Sequence, residues 1–358
     1  MAIKSTGYAQ SETYKEILSQ GEVWQSVLQQ LKQSGAAETM LQSGSRKASW
    51  LFVGCGTSFY LADAAATSWT LLTGEPARAV PGSEILLYPD LTCSDSTDLR
   101  AIVISRSGRT SEAVRAAHVL REKMRIPTIG ITCAEKSELE AECDSTLVLN
   151  AADEKSMVMT RSFTSMLISL QWTAAQRAGN AEFCNFLEKM AVQFATRIGS
   201  LAEYMEAFVE RRSFEDYVFL GQGPFHGIAR EAALKVMEMS CSYSQSFHTL
   251  EFRHGPKAIV TPRTALTFFL SQSGIASEIE VLEEMKELGG VTISICNAAN
   301  EDIRRASDLV LELNLPGDEL THLASHIVPS QLMGFFTGVG KGLNPDQPKN
   351  LTRVVVLD

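Results

Sequence analysis

The chain has 358 residues, 45% of them hydrophobic and 21% charged, and a formal net charge of -10. That is enough for two cores of ordinary domain size, and an acidic balance without any long Lys/Arg cluster argues against a nucleic-acid backbone or an anionic membrane surface as partner. No apolar run reaches the length of a membrane span, Met1 to Gln20 holds no signal-peptide core, and the seven scattered cysteines form no Cys-x-x-Cys pair, so a cytoplasmic protein with reduced thiols and no structural zinc is expected.

From Ser11 to about Lys32 the apolar residues Tyr14, Ile17, Leu18, Val23, Trp24, Val27, Leu28 and Leu31 recur at helical spacing, interrupted near Gly21. This predicts an N-terminal helical arm over 1–34, ahead of a first domain at 35–195. Trp50-Leu51-Phe52-Val53 reads as a strand that ends in Gly54-Cys55-Gly56-Thr57-Ser58, with a helix over 59–72 after it. The turn lacks the third glycine of a dinucleotide fingerprint, its place being taken by Phe59 or its neighbours, so NAD is not expected. Ala79 to Leu87 gives a further strand candidate.

Ala101 to Ile104 is continuously apolar, as in a parallel strand covered on both faces. It runs into Ser105-Arg106-Ser107-Gly108-Arg109-Thr110 and then into residues at helical spacing. Unpaired N–H groups at such a helix start attract an anion, and Ser105, Ser107 and Thr110 add hydroxyl donors. A phosphate cup is one reading; the other is that Ser107 or Thr110 merely caps the helix. Pro127–Thr132 and Cys143–Leu149 read as strands, and 162–209 as largely helical, which places the domain connection there. Alternating strands and helices indicate a parallel, doubly wound α/β sheet with its ligand at the strand carboxyl ends.

The pattern then restarts. Tyr217-Val218-Phe219-Leu220 leads into Gly221-Gln222-Gly223, and Leu266–Leu270 into Ser271-Gln272-Ser273-Gly274, echoing Ser105-Arg106-Ser107-Gly108. Ile129 to Asn150 aligns without a gap on Ile293 to Asn314, pairing Asp144 with Asp308. This is an internal duplication, with a second domain at 196–343. The second copy has Ile275-Ala276-Ser277 after its glycine, poorer in hydroxyls, so the first copy is expected to hold the phosphate.

Three further stretches carry chemistry. Glu231, Lys235 and Glu238 share one stripe of a helix, which suits either a solvated Glu–Lys pair or a catalytic set. His254 stands beside Gly255-Pro256 and between Arg253 and Lys257, as a proton-transfer group or a surface histidine. His322 and His326, four apart, lack the third ligand that zinc requires. The polar, turn-rich tail over 344–358 suits a segment that folds back over a site.

Together, Gly54–Ser58, Ser105–Thr110, Glu231–Glu238, Arg253–Lys257 and Asp346-Gln347-Pro348 resemble the double sugar-isomerase (SIS) domain family. Within it the nearest patterns are the galactosamine-6-phosphate deaminase/isomerase (tagatose-6-phosphate ketose/aldose isomerase) group and the isomerase half of glucosamine-6-phosphate synthase. The resemblance implies two tandem flavodoxin-like domains acting on a hexose or amino-hexose 6-phosphate without cofactor or metal. It assigns the phosphate to Ser58, Ser105, Arg106, Ser107 and Thr110, and adds Gly56, Thr57, Glu231 and Arg353 as substrate contacts. It implies that Glu238 moves the proton between C1 and C2, that Lys235 lies near the reacting centre, and that His254 assists ring opening from the neighbouring subunit of a homodimer. Two departures favour the deaminase/isomerase branch: no glutaminase segment is expected before the helical arm, and Arg353 stands where the synthase has a lysine. A fructosamine-6-phosphate deglycase and a non-catalytic phosphosugar sensor are the alternatives.

Overall fold

Continuous apolar runs became central strands. Ser49–Gly54 (β1) is buried from Trp50 onward, Leu99–Ile104 (β3) from Ala101 onward and Thr128–Thr132 (β4) throughout, a pattern that only strands covered on both faces sustain. In the computed structural model, which describes residues 8–34, 48–93 and 98–357, they join Ala77–Pro81 (β2) and Ser145–Val148 (β5) in a sheet of order β2-β1-β3-β4-β5. The second sheet comprises Asp216–Gly221 (β6), Tyr243–Phe247 (β7), Thr264–Phe269 (β8), Val291–Cys296 (β9) and Leu309–Glu312 (β10), in the order β7-β6-β8-β9-β10. All pairings are parallel, and both orders are the same doubly wound order, as the duplication and the α/β tandem fold required.

The helices that position the site are Glu12–Leu18 (α1), Gln20–Ser34 (α2), Thr57–Thr73 (α3), Ser111–His118 (α4), Arg161–Ala178 (α5), Ile198–Glu210 (α6), Pro224–Ser240 (α7), Ile275–Glu287 (α8) and Val328–Gly340 (α9). The chain divides into two units, each around one sheet. The β1–β5 unit gathers Gln20–Glu154, Arg161–Val192 and the tail from Thr352, and the β6–β10 unit gathers the chain up to Ser19, Lys155–Thr160 and Gln193–Leu351.

Alternation along the strands serves two faces. In the β1–β5 unit Leu51, Val53, Ala101 and Val103 pack with Ala113, Ala116 and Ala117 of α4, while Phe52 meets Trp69 of α3 edge-on at 5.7 Å. In the β6–β10 unit Val218, Leu220, Leu266 and Phe268 pack with Val281, Leu282 and Met285 of α8, and Tyr217 points the other way, its hydroxyl 3.3 Å from Thr337 of α9. The repeat extends to single bonds. Asp144 accepts the Thr128 N–H at 2.7 Å and Asp308 accepts the Thr292 N–H at 2.9 Å.

Four sequence expectations change. The N-terminal helices break at Ser19, whose hydroxyl donates to the Glu16 carbonyl, and Gly21 lies inside α2. The strand expected over Ala79–Leu87 stops at Pro81, which has no N–H to extend a ladder, and Gly82–Leu87 is a helix. The edge strand β7 was not foreseen, because Tyr-Ser-Gln-Ser-Phe is too polar to read as buried. Finally, Ser105 and Leu270 make the same bond, to the carbonyls of Ile131 and Ile295, so the strand register pairs Ser105 with Leu270 rather than Ser271. The loop between β8 and α8 is accordingly one residue shorter than that between β3 and α4. Of the expected helical arm, residues 1–7 lie outside the described residues, as do 35–47 where the first domain was expected to begin. All seven cysteines are free of disulfides, and no described helix is long and apolar enough to cross a membrane.

Candidate functional site

In the β1–β5 unit two strand-to-helix turns supply the expected cup residues. Gly56 adopts φ 55° and ψ -125° before α3, and its counterpart Gly223 adopts φ 54° and ψ -126° before α7, a region closed to residues with a Cβ. Thr57 and Ser58 open α3, both buried, and the Ser58 N–H donates to the Cys55 carbonyl at 3.1 Å. In the second turn Ser105 is buried and Ser107 and Thr110 are half-exposed. Thr110 occupies the N-cap position of α4 yet makes no capping bond; its hydroxyl lies 3.4 Å from that of Ser105. This geometry leaves the helix-capping reading of Thr110 without its hydrogen bond and places two hydroxyls together at a helix start. Ser107 accepts the Arg109 N–H at 3.2 Å.

The buried Arg106 side chain is drawn aside. Its guanidinium meets the buried Glu154 carboxylate at 3.4 Å and donates to the Arg353 carbonyl at 3.3 Å. Glu154 also accepts the Ser162 hydroxyl. Arg353 in turn pairs with Asp153 at 3.1 Å and donates to the Glu154 carbonyl. Nearby, the Ser111 N–H donates to the Val355 carbonyl at 3.1 Å and Arg115 to that of Leu357 at 3.0 Å, so the tail lies along the first turn of α4. Glu154 was not foreseen: it lies 48 residues from Arg106 in the chain, and only the fold joins them.

In the β6–β10 unit the stripe on α7 is no solvated face. Lys235 and Glu231 are fully buried with 3.3 Å between ammonium and carboxylate, and the same ammonium is bonded to Glu238. Burial by itself would lower the Lys235 pKa, but the two carboxylates outweigh it and hold the ammonium above its ordinary value. The Glu238 side chain keeps 18% exposure, opening on a groove of about 850 Å³ lined also by Cys241, Tyr243, Gln245, Lys349 and Leu351. Helix α7 is fixed from behind by α9: a Cβ at Gly334 would lie 2.9 Å from the Lys235 carbonyl, and one at Gly338 2.2 Å from that of Met239. Glycine at both positions lets the two backbones approach that closely.

His254 is exposed on its own chain, at the end of a short turn over Glu251–Arg253, while Arg253 and Lys257 on either side bind Glu284 of α8. Two other histidines were missed: His226 of α7 stacks on His248 with ring centroids 3.7 Å apart. His322 and His326 are buried and hydrogen-bonded to the Pro316 and His322 carbonyls at 3.1 and 2.8 Å, and burial drives His326 down to about 3, so its ring is neutral.

The loop after β8 is built differently from the first cup. The Ser271 N–H and hydroxyl both donate to the buried carboxylate of Glu278, at 2.8 and 3.1 Å. Burial pushes Glu278 up to about 7, assisted by the charge of Glu319 and opposed by the Ser271 bonds. The native state thus retains a proton that the unfolded chain sheds near an ordinary glutamate pKa of about 4.3, so stability falls as pH rises from there to about 7, and the penalty is full above it. Glu278→Gln is expected to leave the melting temperature unchanged near pH 4 and to raise it at pH 8, by about 3 kcal/mol of stability, as scanning calorimetry across that range will read.

Two parallel, doubly wound domains, one with hydroxyl-bearing turns at its strand carboxyl ends and the other with a carboxylate–ammonium–carboxylate stripe centred on the buried Lys235, define a tandem α/β protein. A family model described as the SIS domain matches residues 45–175 and again 215–333. The chain belongs to the SIS domain family. It is 29% identical over 316 residues to the glutamine–fructose-6-phosphate aminotransferase (isomerizing) of Pyrobaculum aerophilum, covering 86% of this chain and 51% of that protein. The chain therefore spans about half the length of that relative. Among solved structures, glucosamine-6-phosphate deaminase from Thermotoga maritima matches with a TM-score of 0.77 and 28% identity, over 97% of this chain and 100% of that one. Tagatose-6-phosphate ketose/aldose isomerase from Escherichia coli matches in fold, with a TM-score of 0.84 and 22% identity over 97% of each chain.

Proposed function

We propose that the protein is a sugar-phosphate isomerase or amino-sugar-phosphate deaminase that uses no cofactor, acts on a hexose or amino-hexose 6-phosphate, and works in the cytoplasm as a homodimer. The observation that carries this reading is the Glu231–Lys235–Glu238 stripe, in which a buried ammonium is clamped by two carboxylates and one of them opens on a groove. Two fully buried charges and a third that is only partly exposed are costly to assemble on one helix unless their chemistry is used.

In this reading Ser58, Ser105, Ser107 and Thr110 hold the phosphoryl group, with Gly56 and Thr57 shaping the first turn. Arg106 and Arg353 act through Glu154 and Asp153, holding the loop and the tail in place. Glu238 removes the proton from C2 of the open-chain aldose; the electron pair forms the C1–C2 double bond of an enediolate, whose oxyanion the Lys235 ammonium steadies. Transfer of the O2 hydroxyl proton to O1, with return of the carbon-bound proton to C1, gives the ketose. With an amine at C2 the same proton shuttle gives an imine at C2, and addition of water to that carbon followed by loss of its C–N bond gives the ketose and ammonia. Glu231 keeps Lys235 charged and placed. His254, exposed on its own chain, is assigned to ring opening in the site of a second copy.

The test is deuterium wash-in. In deuterated buffer the wild type is expected to exchange the C2 proton of an aldose 6-phosphate, or a C1 proton of fructose or tagatose 6-phosphate, and an ammonia assay on amino-sugar 6-phosphates separates isomerase from deaminase. Saturable binding of these sugars with no exchange on any of them would instead make the protein a phosphosugar sensor.

A further inference from the structure

The two strand-to-helix loops of the repeat differ in what fills them. Within the β1–β5 unit, the hydroxyls of Ser105 and Thr110 lie against each other, and among the described residues no hydrogen bond of Ser105, Ser107 or Thr110 goes to a carboxylate. Within the β6–β10 unit the corresponding loop is already occupied by an anion of the chain's own. Glu319 accepts the N–H groups of Gln272 and Ser273 at 2.6 and 3.2 Å with one oxygen and the Ser273 hydroxyl with the other. Two successive backbone N–H groups and a serine hydroxyl converging on two oxygens is the donor set that phosphoryl groups take at strand-to-helix turns. Glu319 is presented from a braced turn, in which Thr321 donates its N–H at 3.1 Å to the Asp318 carboxylate and its hydroxyl at 2.7 Å to the Asp318 carbonyl, while the His322 N–H donates to the Glu319 carbonyl at 3.3 Å.

We propose that the Gln272–Ser273 turn, next to the Ser271 donors that Glu278 takes, is an anion-binding cup held shut by the Glu319 carboxylate standing in for a phosphoryl group, so that duplication of the fold has left one working phosphate site per chain instead of two. The second cup is sealed from within. Only the count of one rests on the function proposed above; the sealing rests on the Glu319 contacts.

The experiment is titration of the full-length chain with inorganic phosphate, followed by calorimetry and by phosphorus resonance, for the wild type, Glu319→Ala and the double variant Glu319→Ala/Ser273→Ala. Expected are one phosphate per chain in the wild type, two in Glu319→Ala, and one again when the Ser273 hydroxyl is removed as well. A wild type that binds two phosphates, or a folded Glu319→Ala that gains none, overturns the proposal. A wild type that binds none while Glu319→Ala gains one would sink the first-cup assignment and leave this one standing. Should Glu319→Ala melt in phosphate-free buffer, phosphate and not chloride of equal ionic strength is expected to restore its transition; failure of that rescue counts against the sealed cup.

Discussion

Glu238→Gln is expected to lower kcat for aldose–ketose interconversion by about 10³-fold while leaving KM nearly unchanged. Glutamine keeps the bulk of the side chain and still offers an oxygen to the Lys235 ammonium, so the α7–α9 packing that positions residue 238 is retained. What is lost is the basic oxygen proposed to accept the C2 proton, an interaction that would be made only as the proton moves. Steady-state kinetics and C2 deuterium wash-in should fall together. A variant that keeps more than about a tenth of wild-type turnover would place the base elsewhere.

Lys235→Met has the largest expected effect on stability. Its ammonium is fully buried between Glu231 and Glu238, and removing it leaves the buried Glu231 carboxylate facing a second negative charge. Breaking a buried ion pair from one side costs about 3–5 kcal/mol. The uncompensated carboxylates bind protons more tightly in the folded than in the unfolded state, so the deficit grows as pH rises and shrinks toward acid. Adding Glu231→Gln removes one of the stranded charges and is expected to recover a large part of the loss. Urea melts of the single and double variants at pH 5 and pH 8 check both statements, and a single-variant deficit independent of pH would refute the electrostatic account.

The parts of this fold that could be read from the chain were those dictated by local periodicity. β1, β3 and β4 were legible because a strand buried on both faces has no polar positions to hide it, and the stripe on α7 followed from helical spacing alone. The sequence did not say which face of α7 is buried; packing against α9 decided that. Edge strand β7 escaped because one half-exposed side allows serine and glutamine. Long-range partners escaped altogether: Glu154 beside Arg106, His248 over His226 and Glu319 in the second loop are joined only by topology. The echo of Ser105–Gly108 in Ser271–Gly274 was real as a repeat and misleading as a register, since composition aligned serines that hydrogen bonding offsets by one residue.

The close approach of α9 to α7 at Gly334 and Gly338 bears on how a site of the proposed kind can diversify. With backbone against backbone behind it, the helix carrying Glu238 has no slack to slide or rotate. On the proposed function, changes of sugar preference then fall to the other residues that line the groove, Tyr243, Gln245, Lys349 and Leu351, while the helix that carries Glu238 stays a fixed datum.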